Sequence, residues 1–203
     1  MKHIINASPL LKEYTLKDGF PVVIRVRNFN EVTAKDFTLQ MAKAHNTGQP
    51  VIPIIIDSYG GAVYSLMSMI SDVRSSKLPV ATFIQGKAMS CGAIFSTFGT
   101  KGMRYCDPYA TVMIHDVSSG AWGKIEEIKS DAKEAERLQK SVYHMMAQNC
   151  GKNKTYFLKH IHDRGHADWY LEADEALEHG LVDHIGVPQF EVDINVDIKF
   201  TAD

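Results

Sequence analysis

Apolar and polar positions alternate between two rhythms along this chain. Val51-Ile52-Pro53-Ile54-Ile55-Ile56 is an unbroken apolar run, the pattern of a parallel strand covered by helices on both faces, and it stops at Asp57-Ser58-Tyr59-Gly60-Gly61. A helical stretch from Ala62 to about Lys77, a strand over 79–85 and a second helix beginning near Ser90 repeat the unit. Thr111-Val112-Met113-Ile114 is a third strand, leading into His115 and the loop Ser118-Ser119-Gly120-Ala121-Trp122-Gly123. Strand and helix in alternation predict βαβ units and an α/β fold.

The flanks are less regular. Residues 13–26 read as a hairpin about Lys17-Asp18-Gly19, within an N-terminal region over 1–32. A helix over about 33–46 starts at Thr33 and Asp36, buries Phe37, Met41 and Ala44, and stops at Gly48. After the loop, Ile125, Ile128, Ala132, Ala135, Leu138, Val142 and Met145 form one apolar stripe on a long helix over 124–149. Such a stripe needs cover, either along its whole length from the same domain or, for its outer half, from another subunit. A short helix over 173–179 ends at Gly180 and a strand follows at 181–185. The tail over 187–203 alternates strictly, Phe190, Val192, Ile194, Val196, Ile198 and Phe200 against Glu191, Asp193, Asn195, Asp197 and Lys199, and predicts an additional half-buried strand. No repeat, linker or low-complexity tract divides the chain, so one domain over 1–203 is expected.

Composition narrows the function classes. A formal charge of −2 supplies no basic field, so neither nucleic acid nor an anionic membrane surface is an expected partner. No N-terminal segment has the pattern of a secretory signal and no run reaches the roughly 20 apolar residues of a membrane span, which predicts a soluble, cytoplasmic protein. Cys91, Cys106 and Cys150 include no CxxC pair and read as small buried side chains. His160, His162 and His166 lie close to Asp163 and Asp168, residue types that bind zinc, but their spacing fits no ligand motif. A solvated, partly helical segment is the expectation there, with no metal and no cofactor.

A hydroxyl becomes a nucleophile when a base accepts its proton and fixed N–H donors receive the charge that develops on the substrate oxygen. Ser90 sits directly after a strand at the start of a helix, where free backbone N–H groups face incoming anionic charge. Gly60 and Gly61, ending the preceding strand, offer a second set, because a residue without Cβ lets a carbonyl approach closely.

Met89-Ser90-Cys91-Gly92-Ala93, Val112-Met113-Ile114-His115, and Asp168 ahead of Glu175-Ala176-Leu177-Glu178-His179-Gly180-Leu181-Val182-Asp183 together resemble the ClpP peptidase family, over about residues 50–186. The resemblance implies stacked βαβ units of the ClpP/crotonase type with a protruding handle helix at 124–149. It also implies Ser90 as nucleophile, His115 as general base and Asp168 as orienting acid, with the backbone N–H groups of Gly61 and Cys91 as oxyanion donors. The loop around Gly120, with residues after Gly61, would bind an extended peptide by strand-like pairing. The family further implies a homo-oligomer of heptameric rings, single or paired, peptide or unfolded protein as substrate, and an AAA+ unfoldase as partner. The segment between Gly151 and Asp168 is about four residues longer than the family pattern, which makes Asp163 a rival acid; Asp168 keeps the ungapped spacing to Glu175. Two other classes compete: a noncatalytic ring subunit, and an acyl-CoA enzyme of the crotonase superfamily that shares the backbone oxyanion hole.

Overall fold

A computed structural model describes residues 21–118, 120 and 122–189. The first strand and turn of the expected N-terminal hairpin, and the alternating tail from Phe190 onward, lie outside the described residues.

The centre of the molecule is a mostly parallel sheet. β1 (Ile24–Val26), β2 (Ile52–Ser58), β3 (Val80–Met89), β4 (Arg104–Cys106) and β7 (His184–Ile185) follow one another across it, all parallel. β5 (Thr111–Ile114) pairs parallel with the far end of β3, and β6 (Trp169–Leu171) closes that edge antiparallel to β5. The α/β architecture of strand–helix units expected from the sequence is the one observed.

β3 makes the site possible because it serves two partners in succession. Its first half pairs with β4, from Thr82 opposite Arg104, and its last three residues pair with β5, from Lys87 opposite Thr111. The change of partner falls at Gln85-Gly86, where the register against β2 shifts between Ile56 and Ser58 and Gly86 takes a φ of 84° that a side chain would resist. The expected strand over 79–85 therefore runs four residues further, up to the residue before Ser90.

Helices cover the sheet on apolar faces. α1 (Glu31–Asn46) buries Ala34, Phe37, Met41 and Ala44. It starts earlier than the sequence suggests: Asn30 is the cap, its side chain accepting from Thr33 N at 2.9 Å while Thr33 Oγ1 accepts from Asn30 N at 3.0 Å. α2 (Val63–Ser75) buries Leu66, Met69, Ile70 and Val73, and α3 (Cys91–Ser96) is buried throughout. α5 (Tyr156–Asp163) and α6 (Ala173–Glu178) complete the set.

α4 (Ile125–Asn149) is covered over only its second half. Leu138, Val142, Tyr143, Met146 and Ala147 are buried, whereas Ile125 is 71% and Ile128 40% exposed. The chain's own domain thus covers the inner part of the expected stripe and leaves Ile125 and Ile128 at its outer end exposed. The buried face is also rotated from the predicted one, since Tyr143 is buried and Met145 only partly.

One buried ion pair ties the sheet edge together. Arg104, 1% exposed, grips Asp183 through Nε to Oδ2 at 2.8 Å and Nη2 to Oδ1 at 2.6 Å, and Asp183 also accepts from Gly102 N at 2.8 Å and Lys101 Nζ at 2.7 Å. Burial opposes ionisation of Asp183, but the hydrogen bonds from Arg104 and Lys101 outweigh it and hold the carboxyl well below the usual carboxylate range. Among the described residues no helix is long and apolar enough to cross a membrane.

Candidate active site

Ser90 occupies the turn from β3 into α3. Its φ of 53° and ψ of −119° lie outside the regions that side chains ordinarily adopt, a strain of about 1–3 kcal/mol. Two bonds maintain it: Ser90 N donates to Met113 O at 2.8 Å, and Ser90 O accepts from Ile94 N at 3.2 Å. Gly92 packs α3 closely against β2, a Cβ there coming to 3.4 Å from Ser58 O. As the first residue inside α3, Cys91 has an amide N–H with no carbonyl of its own helix to donate to.

Gly60 and Gly61 form the facing wall. A Cβ on Gly60 would lie 2.8 Å from Ser90 Cβ and 3.2 Å from its Oγ, so only a glycine fits beside the hydroxyl. Phe29 bonds to the neighbours of Gly61, donating to Gly60 O at 3.3 Å and accepting from Ala62 N at 2.7 Å. Successive residues of a strand point their backbone groups to opposite sides, so the N–H and C=O of Gly61 face away from Phe29. Cys91 Sγ donates to Gly61 O at 3.2 Å on that side, which brings the Gly61 amide to the start of α3.

His115 follows β5 and is framed by two ladders. On the β3 side Met89 is opposite Met113 and Ser90 is bonded to the Met113 carbonyl. On the β6 side Ile114 is opposite Trp169, so the next pair outward is His115 with Asp168. His115 Nδ1 and Asp168 Oδ1 are 3.7 Å apart, within ion-pair reach but wider than the roughly 3.2 Å limit of a good hydrogen bond. Asp163 instead lies at the end of α5, 3.7 Å from His162 Nδ1. Burial pushes the Cys91 thiol up to about 11, against the weaker opposing effect of its bond to Gly61, which leaves it protonated at neutral pH and a poor nucleophile.

The remaining predicted residues are placed differently. Gly120 is exposed, with open space around it. His160 stacks on Trp169 with ring centroids 4.9 Å apart, and His166 is bonded to Asp116 at 2.5 Å. Among the described residues no group of three His, Cys, Asp or Glu converges as a metal site would require.

Sequence reasoning missed two sets of residues. Tyr143 donates its hydroxyl to the His115 carbonyl from the buried face of α4, and burial raises its pKa well above the ordinary tyrosine value. Asp116 and Gln139 bond to each other beside His115. A tyrosine amid an apolar stripe was the one available signal.

A strained serine thus stands between a strand and a helix, with a histidine at the end of the adjoining strand and a pair of glycines beside it. The chain belongs to the Clp protease family, whose model matches residues 18–189. It is 32% identical over 172 residues to the ATP-dependent Clp protease proteolytic subunit 1 of Rhodopirellula baltica, covering 84% of this chain and 72% of that protein. It is 30% identical over 178 residues to the protein of the same name from Salinibacter ruber, covering 88% and 72%.

Proposed function

We propose that the chain hydrolyses peptide bonds by a serine mechanism, as a subunit of an oligomeric chamber. His115 takes the Ser90 proton as Oγ bonds to the scissile carbonyl carbon, and the amides of Gly61 and Cys91 receive the oxyanion. The C–N bond then breaks and the leaving amine takes the proton from His115; a water, deprotonated in turn by His115, bonds to the acyl carbon, the ester C–O bond breaks, and Ser90 Oγ takes that proton back from His115. Asp168 orients the imidazole and balances its charge. The observation that carries this reading is the double ladder, with Ser90 bonded beside one flank of β5 and Asp168 in register with His115 on the other.

The exposed edge after Gly61 and the loop around Gly120 would hold an extended peptide, and the exposed outer end of α4 would interlock subunits, with heptameric rings as the expected assembly. The ATP dependence in the relatives' names supports an AAA+ unfoldase as partner. Free, buried Cys91, Cys106 and Cys150 suit a reducing compartment such as the cytoplasm.

A second reading, a ring subunit without turnover, draws support from the 3.7 Å gap between His115 and a half-exposed Asp168. A fluorophosphonate probe separates the two. Stoichiometric labelling at Ser90 in the assembled protein is expected for the peptidase; an assembled protein that stays unlabelled is the result for the inert subunit.

A further inference from the structure

Among the described residues Asp168 makes no short side-chain hydrogen bond that would fix it at 3.7 Å from His115, and its side chain is 49% exposed. Its position is therefore set by the segment that precedes it, the turn between α5 and β6. That segment contains His166, which with Ser90 is one of only two non-glycine residues of positive φ among the described residues, at 63°. Backbone strain persists only where surrounding contacts impose it. For Ser90 those contacts are the bonds to Met113 and Ile94; for His166 they are the bond from its own amide to Ile161 O at 3.0 Å, which closes α5, and the bond from its side chain to Asp116.

His166 Nδ1 lies 2.5 Å from Asp116 Oδ2. The other oxygen of Asp116 accepts from Gln139 Nε2 at 2.7 Å, and Gln139 Oε1 accepts from Val117 N at 2.7 Å. The residue after His115 and the residue two before Asp168 are thus joined through their side chains, and both are anchored to α4 through Gln139. Two residues of chain span at most about 7 Å, so a tether at 166 leaves Asp168 little room to swing away.

We propose that the His166–Asp116–Gln139 chain is a positioning device that holds the Asp168 segment against the strand carrying His115. It rests on the reading of Ser90, His115 and Asp168 as the reacting set. An exposed ion pair adds little to global stability, and this one acts on local geometry instead.

Two variants of the assembled protein separate the tether from the backbone strain. His166→Gly adopts positive φ freely but has no donor; His166→Asn tolerates positive φ and keeps one. The expected result is a kcat lower by about tenfold in the glycine variant, the effect of one lost charge-assisted hydrogen bond, with KM within about twofold because His166 does not line the peptide edge. The asparagine variant should recover most of the loss. Amide hydrogen exchange over 164–169, read on the same proteins, should accelerate in the glycine variant and stay near wild type in the asparagine variant, whether or not peptide is turned over. Wild-type exchange in His166→Gly, or equal acceleration in both variants, would overturn the tether. A wild-type protein that cleaves nothing while showing the expected exchange pattern would count against the peptidase reading alone.

Discussion

His115 and Asp168 are the next pair outward on the antiparallel ladder whose last observed partners are Ile114 and Trp169. This register is what the proposed role of Asp168 rests on. Asp168→Asn should lower kcat by roughly 10²–10⁴-fold, since an orienting carboxylate fixes the tautomer and charge of its histidine. Asp163→Asn, changing a group paired only with His162 on α5, should leave kcat within about twofold. Steady-state cleavage of a fluorogenic peptide by both variants distinguishes the two aspartates.

Gly60 is held beside the hydroxyl by contact as well as by its φ of 107°. Gly60→Ala would push a methyl into Ser90 and should reduce kcat/KM by about 10²-fold or more, the effect of displacing a reacting atom by about 1 Å. Gly102→Ala is the matched control. Its φ is also positive, at 86°, but open space surrounds it, so it should lose about 1–2 kcal/mol of stability and no activity.

Arg104 and Asp183 link β4 to the segment before β7 from 79 residues apart. Arg104→Met takes away the buried partner of Asp183 and leaves it to Lys101 and the Gly102 amide, which should destabilise the fold by about 2–4 kcal/mol in urea denaturation. The Asp183 carboxyl is held below its unfolded value of about 4, so its contribution is complete above that pH and is lost as pH falls through the lowered folded value. Stability should accordingly depend less steeply on pH below about 4 in Asp183→Asn than in wild type.

Ile125 and Ile128 on the outer half of α4 are exposed, and Tyr64 ties that half to the body, its Oη donating to Glu134 Oε1 at 2.7 Å. Ile125→Asp with Ile128→Asp should therefore change the unfolding free energy of a subunit by no more than about 0.5 kcal/mol per site. The assembled species seen by sedimentation should shrink. Full assembly in this double variant would remove the handle from the account of how subunits join.

The strands β2, β3 and β5 were legible because an apolar run in a sheet covered on both faces is its own signal. Ser90 and His115 were legible because each directly follows such a strand. β4 was not: Arg104 reads as a surface residue, and only Asp183, remote in sequence, neutralises it enough to be buried. α1 begins at an Asn30–Thr33 capping box where the sequence pointed to Thr33 itself, since threonine at the third helical position caps as well as it starts. The strand expected over 181–185 is reduced to His184–Ile185, because Leu181 and Val182 bury their side chains in the turn that Arg104 holds. The tether from His166 to Asp116 spans 50 residues and leaves no local pattern at all.

If the chain is a serine peptidase, Ser90 is its reacting hydroxyl. Cleavage of a short fluorogenic peptide by the assembled wild-type protein and by Ser90→Ala, with the size of both confirmed in solution, tests it most directly. Turnover in the wild type that vanishes in an alanine variant of unchanged size is the predicted result. Undiminished turnover in Ser90→Ala, or a correctly assembled wild type that cleaves no peptide, would contradict it.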